Sequence, residues 1–175
     1  PFLDNGSFST LSPDGRWVAY TGFDQQKFTN HLSSLYLMDA TGGRKRLWAG
    51  KLPSSPTNVT WAPDGSGVYY SMEESGEANI YFAPADLGLA PRKVTTGVHM
   101  ITGVSLARNG QAAAVRSTVR QPGELVTFSV GKPADMRVLV DVNGDVLGGA
   151  AIAAAEELKF ASSDGLKIQG WLMKP

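Results

Sequence analysis

The sequence contains no cysteine. That excludes disulfides, a thiolate nucleophile and any cysteine-ligated metal, and it suits the cytoplasm and a bacterial periplasm equally well. An excess of either charge is also missing, because 16 basic residues offset 16 acidic ones. Nothing here has the basic footprint that would hold nucleic acid or an anionic membrane surface. Long apolar runs are absent as well. The longest, near Leu147 to Ala155, is too short and too rich in alanine and glycine to span a bilayer, and no signal-like segment opens the sequence. Histidine is scarce, with only His31 and His99. The composition is that of a soluble β-rich domain, expected to have neither a nucleic-acid nor a membrane partner and no cofactor.

What the chain does have is a repeated phrase. Ser12-Pro13-Asp14-Gly15 returns as Ala62-Pro63-Asp64-Gly65 and, more faintly, as Ala107-Arg108-Asn109-Gly110. Proline pre-sets φ at the second position of a turn, aspartate or asparagine tolerates the third, and glycine takes the positive φ that closes it. Each phrase therefore predicts a turn between two strands. Counting from the acidic or amide residue, apolar positions recur four and six places on, as Val18 and Tyr20, Val68 and Tyr70, and Ala113 and Val115. They predict one face of a period-two strand in each copy. A third strand is predicted at Leu35–Leu37, Ile80–Phe82 and Leu125–Phe128, and a fourth at Arg46–Trp48, Lys93–Thr95 and Arg137–Val140.

Asp14, Asp64 and Asn109 stand 50 and 45 residues apart, close to the period of roughly 40–50 residues that marks propeller blades. The expected fold is all-β: a partial β-propeller of three four-stranded antiparallel blades, at about 7–49, 57–96 and 101–141. A propeller needs roughly four to eight blades to close, and the chain starts at Pro1 without an initiator methionine. It is expected to be a piece of a longer protein, with the remaining blades as its partners. Trp17, Tyr20, Tyr36, Trp48, Trp61, Tyr69, Tyr70, Tyr81 and Phe82 cluster in the first two copies, where they would fill the space between blades. The third copy carries Ala112, Ala113 and Ala114 instead, which predicts a thinner sandwich or a closer approach of the sheets there, and lower stability if that copy is expressed alone. Apolar faces left without neighbours predict self-association of the isolated segment, and a homo-oligomer stays open.

After the repeats the texture changes. Asp141 to Ala150 is a glycine-bearing connection, so a boundary near residue 150 is expected, with 151–175 as linker and a new hairpin. Leu158 and Phe160 share a face of its first strand, Ser163-Asp164-Gly165 makes the turn, and Leu166, Ile168, Gly170 and Leu172 alternate along the second, with Trp171 and Met173 opposite. Large apolar groups on both faces imply cover on both sides.

The run from Glu157 to Pro175 resembles the start of the α/β-hydrolase domain in the prolyl oligopeptidase family of serine peptidases. That family includes acylaminoacyl peptidases and dipeptidyl peptidases, and in it a β-propeller precedes the catalytic domain. The resemblance implies a propeller that caps and gates an active site for short peptides or acyl-peptides. It also implies a serine elbow, an aspartate and a histidine farther along the parent protein. No Gly-x-Ser-x-Gly elbow occurs in this sequence, so no catalytic, cofactor-binding or metal residue is assigned and this segment is expected to be inactive alone. The alternative is a TolB-like propeller that binds another protein without enzymatic activity. A propeller joined to an unrelated hydrolase is disfavoured by the terminal hairpin.

Several smaller constellations have both a functional and a plain reading. Glu73-Glu74 with Glu77 resembles the glutamate pair with which dipeptidyl peptidases hold a substrate amino terminus, but Ser75 to Asn79 reads as an ordinary hairpin tip with solvated carboxylates. Asp141, Asn143 and Asp145 suggest a calcium loop, yet the glycine is misplaced and Ile152 stands where the bidentate glutamate belongs, so a turn is expected. Arg44-Lys45-Arg46 reads as a solvated edge. His31 reads as a solvated loop residue, and His99 as a contact connecting blades.

Overall fold

The computed structural model of the chain describes residues 8–23, 31–43 and 45–174. Strands β1 (Phe8–Leu11), β2 (Trp17–Gly22), β3 (Ser34–Asp39) and β4 (Arg46–Ala49) form one antiparallel meander. A second comprises β5 (Thr57–Trp61), β6 (Gly67–Glu74), β7 (Glu77–Pro84) and β8 (Arg92–Lys93), and a third β9 (Met100–Leu106), β10 (Gln111–Ser117), β11 (Glu124–Ser129) and β12 (Lys132–Val140). The first strand of each sheet lies against the first strand of the next, β1 against β5 and β5 against β9. The sheets therefore radiate from one side, as propeller blades do. One parallel bridge, Ala78 to Met100, ties the second sheet to the third. A short helix α1 (Gly144–Leu147) leads to a separate two-stranded ribbon of β13 (Ala155–Ala161) and β14 (Lys167–Met173).

The turn phrases fold as their chemistry dictates. Gly15 N–H donates to the Ser12 carbonyl at 2.9 Å, and Asp14 Oδ1 accepts from Arg16 N–H at 3.1 Å. The Ser12 hydroxyl also donates to that carboxylate at 2.5 Å and, with the Arg16 amide, holds Asp14 below its ordinary pKa. Gly15, Gly65 and Gly110 take φ of 71°, 72° and 79°, a conformation that costs a residue with a Cβ.

The third turn differs in one respect. Ser12 N–H closes on the Trp17 carbonyl and Ala62 N–H on Gly67, but Ala107 N–H closes on Gln111, one residue sooner. A one-residue change of register exchanges the faces of a strand. In β10 the residues packed on the preceding sheet are therefore Ala112 and Ala114, while Val115 faces outward and is exposed. This corrects the expected pairing of Ala113 and Val115 with Val68 and Tyr70. The fourth strand of the second copy is corrected too. Pro91 precedes it, β8 holds only Arg92 and Lys93, and Val94 and Thr95 instead turn their amides to the Ile80 carbonyl.

Two cores lie between the three sheets. Ala19, Leu35, Leu37 and Trp48 meet Trp61, Val68, Tyr70, Met72 and Tyr81 across the first seam. Ile80, Phe82 and Val94 meet Ile101, Ala112, Ala114, Val126 and Phe128 across the second. The alanines of the third sheet are matched by bulk on the second, where Tyr69 and Phe82 lie 4.8 Å apart. Small faces large, so the seam stays filled. The aromatics do not all lie between sheets: Tyr20 and Tyr36 stack at 5.3 Å on the far side of the first sheet.

Candidate functional site

The hairpin β6–β7 turns through Ser75 and Gly76 alone, at φ of 53° and 80°. Paired positive φ values are the signature of a tight two-residue hairpin turn. Glu73 and Glu74 end one strand and Glu77 begins the other, so these carboxylates flank the tip and do not occupy a longer loop. They border a cavity of about 390 Å³ with Pro53 and Met100. Two of the three are engaged: Glu74 Oε2 accepts from the Tyr81 hydroxyl at 2.9 Å, and Glu77 Oε2 pairs with Lys93 Nζ at 3.4 Å.

Beside this tip lies a larger cavity of about 830 Å³, walled by Glu77, His99, Arg120, Glu157, Lys159 and Trp171 among others. Three parts of the chain build it: the β6–β7 tip, the residues around β9 and the end of β10, and the terminal ribbon. His99 belongs to a polar network under the cavity. Its Nε2 lies 3.0 Å from Asn79 Oδ1, which also accepts from the Thr95 hydroxyl at 3.0 Å. The Asn79 amide donates to Glu77 Oε2 and to the Gly97 carbonyl. With both donors of Asn79 assigned, its oxygen is the acceptor, and His99 Nε2 must carry the proton. Burial, and next the Arg116 charge, lower the His99 pKa and keep the ring neutral. His99 also joins sheets, since its carbonyl accepts from Ala78 N–H at 2.9 Å.

Arg116 is held on one oxygen of Glu124, at 3.0 Å through Nε and 2.6 Å through Nη2, and Glu124 is buried. On the ribbon, Glu157 accepts from Lys159 Nζ at 2.9 Å and from Gln169 Nε2 at 2.6 Å. The cavity thus presents charge of both signs around an aromatic wall.

The remaining candidates lie elsewhere. His31 stacks on Phe23 at 4.6 Å; residues 24–30 of that segment lie outside the described residues. Lys45 Nζ sits 4.7 Å over the Tyr36 ring and Arg46 lies 5.7 Å from Trp17, while Arg44 falls outside the described residues. Asp141 accepts from the Asn143 amide and from Gln121, and Asn143 Nδ2 donates to the Pro122 carbonyl at 2.6 Å. Those bonds make a turn that pins the chain to the preceding loop. Among the described residues no three His, Asp or Glu side chains converge to hold a metal ion.

No family model matches the chain. Dipeptidyl-peptidase 5 of Porphyromonas gingivalis is 23% identical over 169 residues, covering 97% of this chain and 24% of that protein. An uncharacterised peptidase, YuxL, of Bacillus subtilis is 27% identical over 117 residues, 66% of this chain and 17% of its own length. The chain is homologous to part of these peptidases. Solved structures share its fold: the acylaminoacyl peptidase of Pyrococcus horikoshii superposes with a TM-score of 0.75 at 21% identity, over 96% of this chain and 25% of that one. The propeller domain of the trilobed protease of Pyrococcus furiosus gives 0.61 at 20% identity, over 82% and 40%. TolB of Acinetobacter baumannii gives 0.64 at 14% identity, over 97% and 41%; that likeness is one of fold. The chain spans about a quarter or less of its curated relatives, both of which are peptidases.

Sequence reasoning missed Asn79, Arg120 and the apposition of Trp171 to the hairpin tip. Asn79 left a signal, an amide set inside the apolar run of β7. Trp171 left none beyond its place on the less alternating face of β14.

Proposed function

We propose that this chain is the non-catalytic propeller portion of a serine peptidase that hydrolyses short peptides or acyl-peptides. In this reading residues up to about 150 are blades, and 151–175 open the hydrolase domain. The nucleophilic serine and its histidine base lie in the parent protein beyond this segment, where serine attack on the carbonyl breaks the C–N bond, the histidine passes the serine's proton to the departing amine, and water then hydrolyses the acyl-enzyme. The blades cap that site, so that narrow access favours short chains over folded proteins. The observation that carries this reading is the likeness to dipeptidyl-peptidase 5, which runs through all three sheets and into the terminal ribbon. The exposed outer faces, with Leu11 and Leu47 on the first sheet and Val115 and Leu125 on the third, are in this reading covered by the remaining blades.

The test is to express the full-length protein, label it with a fluorophosphonate probe, and assay free and N-acetylated aminoacyl chromogenic substrates. Labelling with cleavage of one substrate class is expected, and the class cleaved separates dipeptidyl from acylaminoacyl specificity. A folded full-length protein that neither labels nor cleaves would overturn the reading in favour of a TolB-like binding propeller.

A further inference from the structure

The loop between β10 and β11 is braced from inside and from outside. Within it, Thr118 N–H donates to the Gln121 carbonyl at 2.9 Å, Gln121 N–H returns to the Thr118 hydroxyl at 3.0 Å, and Gly123 N–H donates to Ser117 Oγ at 3.0 Å. From outside, Asp141 accepts from the Gln121 side-chain amide, and Asn143 Nδ2 donates to the Pro122 carbonyl at 2.6 Å. The tip left between these bonds is Val119-Arg120, and both residues wall the larger cavity. The turn at Asp141 and Asn143 thus fixes the backbone that carries Arg120.

The charges around that cavity do not balance. Glu157 is met by Lys159 at 2.9 Å and Glu77 by Lys93 at 3.4 Å, and burial keeps His99 neutral. Arg120 is exposed, and no carboxylate among the described residues pairs with it. Glu73 and Glu74 line the smaller cavity instead. The uncompensated charge of the larger cavity is therefore one guanidinium. Set in a concave wall with Trp171, it attracts an anion more strongly than a cation on open surface does. Its planar fork offers two parallel N–H donors, which match the two oxygens of a carboxylate.

We propose that Arg120 binds a carboxylate of a short peptide held in the larger cavity, so that the parent enzyme favours acidic peptides over their neutral counterparts. This deepens the peptidase reading and rests on it. A peptide's carboxyl terminus and an aspartate or glutamate side chain present the same pair of oxygens, and matched substrates separate the two sources.

The test uses the full-length protein and three quenched fluorogenic peptides of one sequence: a neutral peptide amide, the same peptide with a free carboxyl terminus, and the amide with glutamate in place of a glutamine. In the wild type, KM is expected to be about tenfold lower for an acidic peptide than for the neutral amide, and the acidic peptide that shows it identifies the source. Arg120→Gln is expected to abolish the difference by raising that KM alone, with kcat and the neutral amide unaffected, and Arg120→Lys to restore part of it. Arg108→Gln makes the same change of charge in the turn at the other end of β10 and is expected to leave the preference intact. Asn143→Ala, which unties the loop at Pro122, is expected to narrow the preference through the same KM; a loss of kcat on all three peptides alike would leave Asn143 no positioning role. Equal KM values in the wild type, or a preference that survives Arg120→Gln, would overturn the proposal. Should the protein hydrolyse none of the peptides, the peptidase reading fails, and calorimetric titration with the same three still decides Arg120. Tighter binding of an acidic peptide that Arg120→Gln removes upholds the site, and equal binding of all three refutes it.

Discussion

Trp48 and Trp61 lock the first seam from both sides. Their rings meet at 5.5 Å with a 46° tilt, and each indole N–H crosses to the other sheet, Trp48 to the Pro84 carbonyl at 2.6 Å and Trp61 to the Thr10 carbonyl at 3.1 Å. Two donors run in opposite directions across an otherwise apolar contact, so sliding one sheet on the other breaks both.

That relationship separates the two contributions of an indole. Trp61→Phe keeps most of the buried ring and loses the bond to Thr10, a cost of about 1 kcal/mol. Trp61→Ala empties the seam and is expected to cost about 3–5 kcal/mol. Urea unfolding of the intact protein checks both; equal losses would mean that the ring's volume contributes nothing beyond its N–H.

Arg116 and Glu124 give a sharper asymmetry. Glu124 is buried and its charge is met by a guanidinium bound twice to the same oxygen. Arg116→Met strands a buried carboxylate and is expected to cost about 3 kcal/mol or more, whereas the double change Arg116→Met with Glu124→Leu recovers most of that loss. A double-mutant cycle by chemical denaturation measures the coupling, and additive single losses would show that the pair is already solvated.

The antiparallel sheets were legible from sequence because turn chemistry and alternation reinforced each other in the first two copies. Val68 and Tyr70 are buried where the count from Asp64 puts them. The count fails after Asn109 because the turn closes one residue sooner, and the strand offered no correction, since three consecutive alanines have no period. The candidate site was less legible for a different reason. Gln169 and Ser75 are 94 residues apart, and the Asn79 network joins strand, connection and hairpin. Neither leaves a local pattern to read.

Tyr70 and Tyr81 face each other across β6 and β7 with rings 5.6 Å apart, yet their hydroxyls differ. Tyr81 donates to Glu74, while Tyr70 Oη is buried with no partner among the described residues. Burial pushes the Tyr70 pKa up to about 12. Tyr81→Phe is expected to destabilise by about 1 kcal/mol, and Tyr70→Phe to be neutral or stabilising, because it removes a polar atom that folding desolvates without return. Thermal melting of the two variants side by side checks the order, and the reverse order would refute this assignment.

His99 makes stability depend on pH in a direction its surroundings fix. Burial, the leading cause, and the charges of Arg116 and Lys93 lower its pKa in the fold, with Glu77 opposing. Above the unfolded value near 6.5 both states are neutral and the fold keeps its full stability. As pH falls through 6.5 the unfolded chain takes the proton first, and stability declines until the lower folded value is passed. His99→Gln keeps a side-chain N–H for Asn79 and has no titrating ring. It is expected to flatten the stability profile between pH 7 and about 5 while leaving stability at pH 8 nearly unchanged. Denaturation midpoints across that range measure it, and a His99→Gln profile as steep as wild type would place the pH sensitivity on another group.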